Sequence, residues 1–415
     1  MEQGKLEAAV EAAENALKLK PDYSEALRLL GRAMDQWGRK DQALEYYRRL
    51  LQHNPYDLNT IYRMIRMGCK ELPQLAQRVQ YVLDNDPDLP PQLEKSLHFT
   101  LGAAQEKQGN HRKAMAFYLA AGKLHHQEAG HEETESLFRR IQDAFTAERF
   151  QQLEGANPCA ESPIFIIGLP RSGSTLTESL LATSDHIQVI GESAIMPSIS
   201  RFGGQLLKPE QSYPDWVKAF PADQWAGLAQ YYLRKARQTA QSNGHLRIVD
   251  KNLGNLVHAG LIRMVFPKAR IIHCVRNPLD VATSCLSIDF AGHFPWTYSM
   301  EDFIAHYRLY QQLMEHWHRV LPGFMLDLSY ESLVNAPETT SRKVFEFVGL
   351  EWSESVLAFN RKQRRVATAS VNQVREGIYT HSTQRWKRYG DLIQPLLDAF
   401  PEWTTDTTPA GSKQN

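Results

Sequence analysis

Residues 163–175 read PIFIIGLPRSGST, a run whose residue types and spacing suit the capture of an anion. The apolar stretch 164–167 has the character of a buried parallel strand. Gly168, Pro170 and Gly173 break it into a tight loop. Ser174 and Thr175 then open an apolar-periodic segment with Leu176, Leu180 and Leu181 that reads as a helix. A strand, a glycine loop and a helix N-terminus bring backbone N–H groups and the positive end of the helix dipole onto one point. Arg171 adds a charged fork there, and Ser172, Ser174 and Thr175 add hydroxyl donors. Gly168 and Gly173 have the spacing of the triphosphate loop GxxxxGK followed by Ser or Thr, but Ser174 stands where that loop has lysine. Without the lysine the contact to β- and γ-phosphates is lost, so the expected anion is phosphate-like and not the tail of ATP or GTP.

Further chemistry-bearing residues follow later apolar stretches. Gly191, Glu192 and Ser193 follow 187–190, and Asp250, Lys251 and Asn252 follow 246–249. Arg276, Asn277 and Pro278 follow 269–275 and lead into a helix carrying Ser284. A fifth strand is expected at 324–328. Helical patterns occupy 222–242, 253–266, 279–290 and 300–320. Strands alternating with helices imply an α/β fold, a three-layer parallel sheet of P-loop-like character. In such sheets ligands sit at the carboxyl ends of the strands, which would gather these residues in one cleft.

Composition sets the frame. The chain has 415 residues, 42% hydrophobic, with zero formal net charge. A folded globular protein of two or three domains is expected, with no basic field for a nucleic acid. No apolar run approaches the length of a membrane span. The N-terminus MEQGKLEAAV is charged and helix-forming, unlike a signal peptide. Cys69, Cys159, Cys274 and Cys285 are scattered without metal-ligand spacing and read as reduced thiols of a cytoplasmic protein. No metal is expected.

The first 125 residues repeat. Gly4, Ala9, Leu17 and Pro21 recur 34 residues later as Gly38, Ala43, Leu51 and Pro55. A shift of 71 maps Leu30, Gly31, Gly38, Ala43 and Tyr47 onto Leu101, Gly102, Gly109, Ala114 and Tyr118. Pro21, Pro55 and Pro87 end the second helix of successive units, and the copy between Asp57 and Pro87 is degenerate, with a breaker at Pro73. This pattern resembles the tetratricopeptide repeat, which implies an all-α solenoid over 1–125 with a surface for a protein or peptide. The first unit lacks its first helix, so either the natural start lies upstream or the stack begins irregularly. Residues 126–160 read as a helical linker, helical over 132–150. The α/β domain then spans 161–405 and a disordered tail 406–415.

With these segments in order, 162–395 resembles the sulfotransferases that use 3′-phosphoadenosine 5′-phosphosulfate. The loop PRSGST resembles their 5′-phosphosulfate loop, and CVRNPLDVATS their 3′-phosphate motif. Among them the tyrosylprotein sulfotransferases and bacterial relatives with tetratricopeptide repeats are most similar. The features are PRSGSTL, GE after the second strand, DKN before a helix, and the tail VREGIYTHSTQRWKRY. The resemblance implies transfer of a sulfuryl group to a hydroxyl, peptide tyrosine first, a polysaccharide or small-molecule hydroxyl second. It implies that Arg171, Ser172, Gly173, Ser174, Thr175 and Leu176 hold the 5′ end of the donor, and that Arg276 and Ser284 hold the 3′-phosphate. Glu192 is the implied general base, its pKa raised in a dry cleft, and Lys251 the cation on the bridging oxygen. Ser382 stands near the reacting sulfate and Arg375, with Gly377, over the nucleotide. Small-molecule members use a His close after the lysine, whereas the first His here is His258. The tyrosylprotein enzymes of eukaryotes are lumenal and anchored with disulfides, features this sequence does not display. Two other classes remain open: a P-loop kinase or NTPase, and an inactive repeat scaffold acting as a binding module. The aromatic stretch 289–307 either lines the acceptor side or packs.

Overall fold

A computed structural model describes residues 2–125, 128–207, 211–240, 246–291, 293–361 and 383–405. Among the described residues, nine helices precede the first strand: α1 Glu2–Leu19, α2 Ser24–Gln36, α3 Lys40–His53, α4 Leu58–Met67, α5 Leu72–Asn85, α6 Pro91–Lys107, α7 His111–Lys123, α8 His131–Ala144 and α9 Ala147–Gln152. The 71-residue repeat is physical. A Cβ on Gly31 would come 2.3 Å from the Tyr47 ring, and one on Gly102 would come 2.3 Å from the Tyr118 ring. In both hairpins the missing side chain lets α2 meet α3, and α6 meet α7, at the tyrosine. Helices α1, α3 and α5 stop two residues before Pro21, Pro55 and Pro87, since the residue ahead of a proline is steered out of helical space. Pro73 sits in the first turn of α5, where a missing N–H costs nothing.

The expected single helix over 132–150 is two. Thr146 leaves helical space and its hydroxyl accepts from the Arg149 N–H at 3.3 Å, capping α9 anew. Nor is 126–160 merely a linker. Phe138, Ile141, Ala144 and Phe145 are buried in the core of the domain that follows.

That domain is built on five parallel strands, β1 Ile164–Gly168, β2 Ile187–Gly191, β3 Arg247–Asp250, β4 Arg270–Val275 and β5 Met325–Ser329, in the order β2-β3-β1-β4-β5. The central β1 is buried throughout, as expected for a continuous apolar strand covered on both faces. Phe165 and Ile167 face one layer, with α8, α12 Trp225–Ala240, α13 Ala259–Val265 and α15 Met300–Val320. Ile164 and Ile166 face the other, with α10 Ser174–Leu181, α16 Tyr330–Asn335 and α17 Pro337–Val348. The remaining helices used below are α11 Ile195–Phe202 and α14 Pro278–Leu286.

Two expected helices are shorter. Over 253–266 the chain makes a 3-10 turn, Leu253–His258, before α13, because the Asn252 side chain caps the Gly254 N–H at 2.9 Å. Over 279–290 the helix begins at Pro278, with Asn277 as its cap, and ends at Leu286. Among the described residues no helix is long and apolar enough to cross a membrane.

Candidate active site

The loop after β1 turns through left-handed backbone at Arg171 (φ 70°) and Gly173 (φ 101°). At Gly173 the glycine is required twice over: the conformation disfavours a side chain, and a Cβ would lie 2.7 Å from the Tyr330 ring. The sharp turn points Arg171 inward. Its Nε donates to Ser284 Oγ on α14 at 2.8 Å, and its carbonyl accepts from Arg276 Nη1 at 2.9 Å. The Arg276 guanidinium lies 4.5 Å from the Tyr330 ring centroid. Arg171 therefore forms one buried cluster with Arg276 and Ser284, which lie 105 and 113 residues further along the chain. Burial pushes the Arg171 pKa down to about 9, helped by the like charges of Arg276 and Arg66. Two buried guanidiniums in such a position are stabilised by an anion.

Ser172, Ser174 and Thr175 are buried in the same turn. The Ser172 hydroxyl oxygen has no hydrogen-bond partner among the described residues. That orphaned donor, and a cradle at Gly173 that any side chain would obstruct, fit a phosphate group at the N-terminus of α10. The Leu176 side chain is packed in the core with Leu180 and Leu181, so only its backbone N–H is available to a ligand.

Lys251 and Glu192 meet at the ends of β3 and β2. The strand pairing continues past the sheet: the Lys251 N–H donates to the Gly191 carbonyl at 3.0 Å, and Asn252 Nδ2 donates to the Ser193 carbonyl at 2.6 Å. These bonds set Lys251 Nζ 2.6 Å from Glu192 Oε1. The lysine side chain is only 2% exposed, so it is no surface partner of Asp250. Asp250 instead turns into the core, accepting from Tyr232 at 2.7 Å and Asn255 at 3.3 Å, and burial pushes its pKa up to about 7. Among the described residues, the dry cleft expected around Glu192 is not found. Its side chain is 56% exposed, just past the end of β2, which is the edge strand of the sheet.

Residues 163–354 match the model of the Sulfotransferase family, and residues 1–57 match that of the Tetratricopeptide repeat. The chain carries a sulfotransferase-family domain behind tetratricopeptide repeats. An uncharacterized protein of Aquifex aeolicus (strain VF5) is 31% identical over 412 residues, covering 97% of this chain and 53% of that protein. The protein-tyrosine sulfotransferase of Drosophila melanogaster is 24% identical over 259 residues, 57% of this chain and 50% of that one. The chain thus spans about half the length of these relatives. Among solved structures, the sulfotransferase domain of the Synechococcus PCC 7002 olefin synthase covers 58% of this chain, with 97% of its own length, at 20% identity and a TM-score of 0.38.

Four strand ends of the sulfotransferase domain thus place Arg171, Glu192, Lys251 and Arg276 where sequence order expects them. Ser382, Arg375 and Gly377 lie outside the described residues. His258 is removed from the chemistry: it packs 5.3 Å from Tyr213, centroid to centroid, and burial pushes its pKa down to about 3. Of the two readings of 289–307, packing is observed for its best-placed rings. Trp296 stacks on His306 at 4.1 Å and Tyr298 on His125 of the repeat side at 3.8 Å.

Two features escaped the sequence. Glu178 on α10 is a carboxylate whose Oε1 is buried without a partner among the described residues; burial raises its pKa, Lys251 opposes that, and Glu192 adds to it. A buried acid on an ordinary-looking helix gives no local signal. The second is a grouping of possible metal ligands, which the scattered spacing does not suggest. His273 on β4 and His318 on α15 approach Asp327 Oδ1 on β5 at 2.7 and 3.1 Å, all three within 4.8 Å of one another. His273 and Asp327 are direct neighbours in the strand register, so parallel pairing creates the contact.

Proposed function

We propose that the protein transfers a sulfuryl group from 3′-phosphoadenosine 5′-phosphosulfate to an acceptor hydroxyl, with peptide tyrosine as the acceptor. The observation that carries this reading is the 2.6 Å Lys251–Glu192 pair standing at adjacent strand ends beside the Arg171–Ser284–Arg276 cluster. The turn from Arg171 to Thr175 would hold the 5′-phosphate of the donor, and Arg276 with Ser284 its 3′-phosphate. Glu192 would take the proton of the acceptor hydroxyl as its oxygen forms the new bond to sulfur. Lys251 would leave Glu192 for the bridging oxygen as the sulfur–oxygen bond to phosphate breaks and charge collects there. The exposure of Glu192 suits this role, since the acceptor must reach it from outside.

Support for tyrosine comes from the relatives, named protein-tyrosine sulfotransferases in Drosophila melanogaster and Caenorhabditis elegans. The repeats would hold the protein acceptor. The like charge of Arg66 on α4 adds to the lowering of the Arg171 pKa, which supports a repeat face directed at the donor loop. A cytoplasmic setting is supported by the four cysteines, all free thiols.

Calorimetry with 3′-phosphoadenosine 5′-phosphate (PAP) against ADP tests the donor assignment, and tighter ADP binding would overturn it. Glu192→Gln is expected to keep the affinity for PAP and lose about 100- to 10,000-fold in kcat. Unchanged turnover removes Glu192 as the base. Radiolabelled donor offered to tyrosine peptides and to sugars decides the acceptor: labelled sugar with unlabelled peptide refutes tyrosine.

A further inference from the structure

A negative charge is buried inside this anion-binding cluster, and it demands a reason. Asp280 lies in the first turn of α14, four residues after Arg276, which precedes the helix cap, and one turn before Ser284 on the same helix face. It is almost wholly buried, and burial raises its pKa. A carboxylate there opposes the binding of any phosphate, so it costs affinity unless it organises the residues that bind.

Its partners show what it organises. Asp280 Oδ2 lies 3.8 Å from Arg276 Nη2 and accepts the backbone N–H of Gln384 at 2.8 Å. Oδ1 accepts the backbone N–H of Trp386 at 3.2 Å. Between those two residues, Arg385 points the other way, into the repeats. Its Nη2 reaches Glu106 Oε1 on α6 at 3.2 Å and its Nε donates to Tyr389 Oη at 3.0 Å. Tyr389 Oη in turn donates to Glu106 Oε2 at 3.2 Å. Residues 384–389 are thus gripped from two sides, by a carboxylate of the donor helix and by a carboxylate of the last repeat.

We propose that Asp280 and Glu106 are positioning residues of one clamp, which fixes residues 384–389 between the repeats and α14 and thereby sets the Arg276 guanidinium for the 3′-phosphate of the donor. This rests on the donor assignment above. The last repeat is then part of the frame of the donor site, in addition to any role in holding an acceptor. Asp280 attracts the Arg276 guanidinium electrostatically while the Gln384 and Trp386 N–H groups hold the carboxylate in place. Glu106 holds Arg385, and with it the backbone carrying those two N–H groups.

The test is the ratio of PAP to ADP affinity in the full chain, measured by calorimetry for wild type, Asp280→Asn, Glu106→Gln and the double variant. Asp280→Asn is expected to weaken PAP roughly tenfold or more while leaving ADP nearly unchanged. Glu106→Gln shifts the ratio in the same direction by less. The double variant does no more than Asp280→Asn alone, since both act through one unit. Arg112→Ala, which removes an exposed contact to Asp391 at the same seam, leaves the ratio at the wild-type value. A residue with a merely structural role would lower the melting temperature without moving the ratio. If Asp280→Asn does not fold, Glu106→Gln decides alone. A wild-type ratio in folded Glu106→Gln, or full additivity in the double variant, overturns the clamp. Absence of PAP preference in the wild type instead overturns the donor assignment and leaves the clamp's geometry without that task.

Discussion

The outer repeats and the last repeat share a sequence pattern but differ in what they bury. Helices α1 to α5 close around their own core, from Val10 to Val79, with Leu97, Leu101, Ala103 and Ala104 of α6 completing it. The other side of the α6–α7 hairpin does something else. Phe99, Ala114, Met115, Tyr118 and Ala121 belong to the core that runs through α8 and α15 to β1. Tyr47 and Tyr118 occupy equivalent places against Gly31 and Gly102, yet one tyrosine serves the array and the other serves the sulfotransferase domain. The approach is close: a Cβ on Gly122 of α7 would lie 2.0 Å from the Tyr298 carbonyl oxygen. A repeat stack stabilised by nearest neighbours needs a cap at each end, and here the domain that follows takes that place.

The largest expected effect separates the two tyrosines. Tyr118→Ala and Tyr47→Ala each remove a buried ring, a loss of about 3–5 kcal/mol. Tyr118→Ala should lower the melting of the sulfotransferase domain and weaken PAP, whereas Tyr47→Ala should melt the outer repeats first and leave PAP affinity unchanged. Equal loss of PAP affinity in both variants would break the contrast. Next is Lys95 of α6, whose buried ammonium lies 3.5 Å from Asp289 and 5.1 Å from the Tyr298 ring centroid. Lys95→Met should cost about 1–3 kcal/mol by thermal melting, because Asp289 loses its cation. Smaller again is Arg112→Ala: with side chains 58% and 74% exposed, the Arg112–Asp391 pair is screened by solvent and its loss should barely move the melting temperature. If it cost as much as Tyr118→Ala, the seam would be electrostatic and not apolar.

The smallest effects are set by pH and have opposite signs in the two regions. In the outer repeats, burial alone would raise the Asp57 pKa, but bonds from Arg28 and the Thr60 N–H outweigh it and hold it below 3.8. That stability is present above 3.8 and lost as pH falls through the lower folded value. In the sulfotransferase domain the bond to Asp327 raises His318 above 6.5, against burial. Its contribution is complete below 6.5 and lost as pH rises through the higher folded value. Melting followed from pH 3 to 9 should therefore show the outer repeats weakening at the acid end and His318→Gln converging on wild type at the alkaline end.

Much of the site was legible because strand ends are local. Apolar runs placed all five strands to within about a residue, and the residues after them became Arg171, Glu192, Lys251 and Arg276. Glu192 shows where that reasoning stops: its type and position were readable, but its exposure depends on β2 lying at the edge of the sheet. Strand order is a consequence of packing, and no residue near Glu192 encodes it.

What the sequence determined by itself was therefore periodicity and punctuation: helices ending ahead of prolines, the glycine turn after β1, the tyrosine–glycine repeat, the order of charged residues along the chain. These follow from backbone sterics and from the alternation of apolar side chains, which act over a few residues. The tertiary structure alone decided which face of the last repeat became the sulfotransferase core, where Glu178 was buried, and that Asp280 would meet backbone 104 and 106 residues away. Those contacts form between distant segments, so their energy depends on the packing of the whole domain and leaves no spacing to read.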